Sequence, residues 1–246
     1  MSLTLNADSQ TNLASRDLCD SPVTRANGCR VPLVGTLSAS VIFISSYFVQ
    51  QISIERMCWL KTLPANSGLH NIFQAFPETA RPLIVYHEAL LRGPSPFSAG
   101  ERELIAAYVS GLNACAFCHD IHGQTAAAFG IDTETLRALL ADPGSAPVDT
   151  RLRPVISFVQ KLTLSPSRMT AADAEAVFAA GWDDRALHDA AAICGLFNLM
   201  NRLVDGLGIE ADAAQTHFVA RRLATTGYAG FLPLLPEAKQ SDGGTN

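Results

Sequence analysis

The chain has 246 residues, 48% of them hydrophobic and 17% charged, which is enough apolar material for a sizeable core and argues against wholesale disorder. A net charge of −5 and a pI near 5.6, with no Lys- or Arg-rich run, exclude a nucleic-acid footprint and a polybasic membrane-binding surface. Of six cysteines only Cys115 and Cys118 are close together, a pattern unlike a secreted disulfide scaffold and suited to a reducing, cytoplasmic compartment.

Composition shifts near residue 57. The first thirty residues are polar and irregular, and the run from Val31 to Val49 (VPLVGTLSASVIFISSYFV) is mostly apolar. Pro32, Gly35 and several Ser and Thr residues make it marginal as a spanning helix, and no small-residue cleavage site follows it. It reads as a short strand or helix on a domain surface, or as part of an extension, residues 1–56, that is poorly ordered or non-native, with Met57 as the start. No membrane partner is expected.

From Leu60 onward the periodicity is helical. A helix spans Pro77 to Leu91 and stops at Gly93-Pro94. Ser98 and Glu101 form a capping box, each side chain satisfying an early backbone donor, and open a helix through Leu112. The next covers about Ala114 to Phe129, closed by Gly130, with Asn113 as its cap. Asp132 caps another, ending before Pro143, and Asp142 to Asp149 is a loop. Arg153–Leu164, Thr170–Ala180, Asp183–Gly206 and Glu210–Thr225 complete the set. Strand-like alternation is missing and Ala is abundant, so the expectation is an all-α domain over residues 57–235 with a polar tail at 236–246.

The informative stretch runs from Glu103 through Cys115, Cys118, His119 and His122. On a helix starting near Asn113, Cys115, Cys118 and His122 share one face. Thiolates are the nucleophilic form of cysteine, and the positive end of a helix favours them. A neighbouring thiol can then resolve a sulfenic acid into a disulfide, while Glu and His handle protons. Other readings remain open on the residues alone. Cys115, Cys118, His119 and His122 supply zinc-ligand types, although four within eight helical residues crowd one side of an ion. Cys115-Ala-Phe-Cys118-His119 also matches the c-type haem attachment string, which would make the protein an electron carrier. Two buried, inert thiols in a non-catalytic helical oligomer are the third possibility.

The spacing of Glu, eleven residues, Cys-x-x-Cys, three residues and His resembles the alkylhydroperoxidase D-like (AhpD-like) proteins of the carboxymuconolactone decarboxylase superfamily. GERELIAAYVSGLNACAFCHDIHG is similar to their peroxidase-related branch, and CGLFNLMNRLVDGLGI, from Cys194 to Ile209, to its second signature. The resemblance implies an all-helical, homo-oligomeric, cofactor-free peroxidase, with a small hydroperoxide as substrate and a thiol or dithiol as reductant. It implies Cys118 as the attacking thiol, Cys115 as the resolving one, and Glu103 and His122 as the proton relay. Phe117 stands where alkylhydroperoxidase D proteins carry a further relay His, and His119 projects about 100° away from Cys118 on a helix. The decarboxylase branch lacks the cysteine pair, which disfavours lactone decarboxylation.

Elsewhere, Asn198, Asn201, Arg202 and Asp205 form a polar stripe that is expected to join a hydrogen-bond network within the subunit or across an interface. Arg153–Leu164 and Asp183–Gly206 read as apolar over more than one face, which suggests contact with a second subunit. Tyr108 reads as packing, Glu101 and Arg102 as solvated, and Cys19, Cys29, Cys58 and Cys194 as ordinary thiols. His70, His87, His188 and His217 are isolated and carry no assigned role.

Overall fold

The computed structural model describes residues 58–210 and 213–237. The extension and most of the tail, with Cys19, Cys29 and the Val31–Val49 run, lie outside the described residues. Among the described residues there are nine α-helices and no strands: α1 (Leu69–Ala75), α2 (Pro77–Leu91), α3 (Ala99–Leu112), α4 (Ala116–Ala128), α5 (Thr133–Ala141), α6 (Leu152–Leu164), α7 (Ala171–Ala179), α8 (Asp184–Gly206) and α9 (Ala213–Thr226). Short 3-10 turns occupy Pro166–Arg168 and Ala229–Leu234. None of these helices is long and apolar enough to cross a membrane.

Local chemistry sets most helix starts. Ser98 Oγ accepts from the Glu101 amide at 3.2 Å while Glu101 Oε2 accepts from the Ser98 amide at 2.7 Å, the reciprocal box expected from the sequence. Asp132 accepts from the Glu134 amide, and Asp183 from the Ala186 amide. The start of α4 differs from expectation. Asn113 ends α3 rather than capping α4, and Ala114 takes a left-handed φ of 57° so that the chain can reverse. Cys115 itself becomes the N-cap, and Cys118 falls three residues into the helix.

The three-residue link makes α3 and α4 an antiparallel hairpin, and α3 runs through the centre of the core, buried continuously from Arg102 to Ser110. Arg102 is therefore not solvated: it donates to the Leu90 and Gly93 carbonyls, at 3.0 and 2.8 Å, tying the α2–α3 turn to α3. α8 packs on α3 and α6, and α9 on α4. α6 buries a single stripe (Leu152, Val155, Ile156, Val159 and Thr163) within the chain. The broad apolar surface of α8 is likewise covered by α2, α3, α4, α6 and α7. Leu164 at the end of α6 and Leu199 on α8 remain exposed.

Candidate active site

Glu103 projects from the middle of α3 and is fully buried. Three donors surround it. His122 Nδ1, from α4, lies 2.7 Å from Oε2; Arg92 Nη2, at the end of α2, lies 2.6 Å from Oε1; and the Tyr228 hydroxyl donates to Oε1 at 2.9 Å. Burial by itself would push the Glu103 carboxyl up, but His122 and Arg92 together outweigh it and hold the carboxyl below its usual range. The sequence neither paired Glu103 with an arginine nor pointed to Tyr228.

Tyr228 reaches the site through a local device. Glu88 Oε2, on α2, accepts from the backbone amides of Tyr228 and Ala229 at 2.7 and 2.9 Å, anchoring the start of the last 3-10 turn. Gly227 has φ +65°, and a Cβ there would stand 2.6 Å from Glu88 Oε2, so only glycine fits. The guanidinium of Arg92 lies 5.0 Å from the centroids of both Tyr228 and Phe129. His122 packs edge-on against Phe197 at 4.4 Å, which fixes the ring as its bond to Glu103 does.

The two thiols are buried and free. Cys118 lines a cavity of about 330 Å³ together with Phe117, Ile121, His122, Met200 and Tyr228; Cys115 is not on its wall. A hydrogen bond shared with Cys118 is the main influence lowering the Cys115 thiol, helped by the Cys118 amide and opposed by burial and Asp205. Cys118 is pushed up, first by that same bond with Cys115 and then by burial, while a bond to Asn201 works the other way. The pair therefore keeps its proton on Cys118 and favours negative charge on Cys115.

The polar stripe of α8 forms a network inside the subunit and reaches these thiols. Asn113 donates to Asn201 Oδ1 at 2.8 Å and to Asn198 Oδ1 at 3.2 Å, and Asn201 donates to Ser110 Oγ at 3.0 Å. Asn201 works to lower the Cys118 thiol, and Asp205 to raise the Cys115 thiol. His119 is turned away, its Nδ1 donating to the Ala107 carbonyl at 3.1 Å. It is thus engaged elsewhere, and it converges on neither a zinc site nor the thiols. Among the described residues no three His, Cys, Asp or Glu side chains are grouped to hold a metal ion. Tyr108 is enclosed in the core, its hydroxyl pushed up to about 12 by burial. His87, assigned nothing from the sequence, lines the cavity beside Tyr228, with ring centroids 5.2 Å apart.

Residues 77–153, which contain Glu103, Cys115, Cys118 and His122, match the carboxymuconolactone decarboxylase family. Two solved structures share the helical fold. An uncharacterized peroxidase-related protein from Silicibacter sp. TM1040 is 28% identical with a TM-score of 0.57, the match covering 61% of this chain and 78% of that one. An uncharacterized peroxidase-related protein from Ralstonia eutropha JMP134, described as an alkylhydroperoxidase AhpD core, is 25% identical with a TM-score of 0.56 and the same coverage. No curated protein sequence matches the chain.

Proposed function

For a chain that carries a carboxymuconolactone decarboxylase-family segment on an AhpD-like helical fold, we propose a thiol-dependent hydroperoxide reductase working through Cys118 and Cys115. The observation that carries this reading is the junction of a buried Glu103–His122 pair and a thiol on one cavity wall.

His122 offers Nδ1–H to Glu103, which leaves Nε2 as the ring nitrogen that exchanges protons with the cavity. A hydroperoxide ROOH enters, and Nε2 removes the Cys118 proton. The Cys118 sulfur attacks the outer peroxide oxygen; the S–O bond forms, the O–O bond breaks, and the alkoxide takes the proton back from His122 as the alcohol ROH. The peroxide is reduced by two electrons and Cys118 is oxidised to a sulfenic acid. The Cys115 thiolate then displaces the oxygen from Cys118, the disulfide forms, and the hydroxide leaves as water with a proton taken from solvent. An external dithiol exchanges with the disulfide and restores both thiols.

Charge and access point to different sulfurs: Cys115 is the easier thiolate, and Cys118 is the one on the cavity wall. Access governs the first step, because peroxide must reach the attacking sulfur, and a base beside Cys118 supplies the deprotonation that its surroundings oppose. The anion favoured at Cys115 suits the second step, in which that thiolate attacks. Phe117 leaves the relay without the additional histidine, and Tyr228, bonded to Glu103 and 3.3 Å from His122 Nδ1, is the hydroxyl that fills the gap.

Intact-protein mass spectrometry after hydroperoxide treatment tests the roles. Cys115→Ser is expected to accumulate sulfenic acid on Cys118, and Cys118→Ser to remain reduced. Sulfenic acid on Cys115 in the Cys118→Ser protein would exchange the two assignments.

A further inference from the structure

Apart from the relay, the cavity is an apolar vessel whose wall includes Leu69, Phe73, Ile84, Val219 and Leu234. No Asp or Glu lies on that wall, and the one side chain there with a permanent formal charge is Arg222 of α9. Arg222 is half-buried, donates through Nη2 to the Gly230 carbonyl at 2.9 Å, and has its guanidinium 5.0 Å from the centroid of Phe231. Its Nε is buried with no hydrogen-bond partner. Among the described residues no carboxylate pairs with it.

The tether to Gly230 and the packing on Phe231 explain the reach of the side chain, but among the described residues they leave its charge without a carboxylate. A guanidinium beside apolar surface also attracts an anion more strongly than one in bulk water, since screening is weaker there. A carboxylate matches the donor geometry of a guanidinium.

We propose that the cavity takes an anionic amphiphile, with its carboxylate on Arg222 and its apolar body along the aliphatic and aromatic wall. On the peroxidase reading, which this deepens, the substrate is a fatty-acid-type hydroperoxide whose peroxide group meets Cys118. The carboxylate sets the register of the chain in the cavity, and the apolar wall supplies affinity without directional contacts.

Calorimetric titration of the full-length Cys118→Ser protein with decanoate and with decanol tests this without any redox step. Decanoate is expected to bind about tenfold tighter, as one charge-assisted hydrogen bond allows. The preference should shrink as salt rises toward roughly 1 M. Adding Arg222→Gln should bring decanoate to the affinity of decanol, and Arg222→Lys should keep part of the preference. Equal binding of the two ligands by the parent protein, or a decanoate preference that survives Arg222→Gln or high salt, overturns the proposal. If Arg222→Gln binds neither ligand, loss of the preference in Arg222→Lys at unchanged decanol affinity also counts against it, because the charge remains. A protein that binds decanoate through Arg222 yet leaves hydroperoxides untouched would keep the anion site and refute the peroxidase reading. Peroxide turnover without the decanoate preference would do the reverse.

Discussion

Glu103 is a buried carboxylate whose charge is compensated by His122, Arg92 and Tyr228, and His87 next to Tyr228 shows the opposite solution to burial. Its Nδ1 donates to the Leu83 carbonyl, and burial, the dominant influence, lowers its pKa to about 4 from 6.5, so the ring is neutral at neutral pH. The folded state then resists a proton that the unfolded chain accepts readily. The stability this represents is fully present above pH 6.5 and is lost as pH falls toward 4. The shift corresponds to about 3 kcal/mol over that interval. Chemical denaturation at a series of pH values checks this: His87→Gln is expected to flatten the decline between pH 6.5 and 4. An unchanged slope would assign the acid sensitivity to other groups.

At the scale of elements, caps made much of the fold legible. Ser98 with Glu101, Asp132 and Asp183 are side chains whose bonding is local, so they start α3, α5 and α8 where the sequence says they should. Asn113 misled because asparagine serves at either end of a helix; here it closes α3, and the cap of α4 is a cysteine. The pairing of Glu103 with His122 was legible through the spacing shared with the resembled family, as one helical hairpin brings the acid to the histidine. Tyr228 was not, since its partner Glu103 is 125 residues away. Arg92 was also missed, since nothing in its neighbourhood distinguishes it from a surface arginine. What seats Tyr228 is the Gly227 turn under Glu88. Gly227→Ala should cost about 1–3 kcal/mol through the left-handed φ and the contact with Glu88, and should lower peroxidase activity by displacing the tyrosine. Thermal melts and steady-state rates on the variant check both parts. A stable, fully active variant would remove Tyr228 from the account.

At the scale of the whole molecule, α6 buries one apolar stripe where the sequence suggested more than one apolar face, while α8 is covered on several sides by its neighbours. The described helices cover α8 on several sides, so breadth of an apolar face does not by itself mark a subunit contact. Exposed apolar residues include Leu164 on α6, Leu199 on α8, and Trp59, Val85, Tyr86 and Phe218. Homo-oligomerisation remains a proposal from the family resemblance, and a separate one holds that residues 1–56 are dispensable. A protein starting at Met57 is expected to unfold cooperatively and to sediment at the same multiple of its chain mass as the full chain, with more than one copy. Monomer mass across micromolar concentrations would refute assembly. Loss of the thermal transition on truncation would make the extension part of the fold.

The central claim is that a hydroperoxide oxidises Cys115 and Cys118 as a pair. Counting free thiols, under denaturing conditions without reductant, in folded and initially reduced protein before and after one equivalent of an organic hydroperoxide tests it most directly. The account predicts a fall from six thiols to four, a mass loss of about 2 Da, and a peptide in which Cys115 and Cys118 are linked. Six thiols remaining while the peroxide persists, or a disulfide between any other two cysteines, would contradict it.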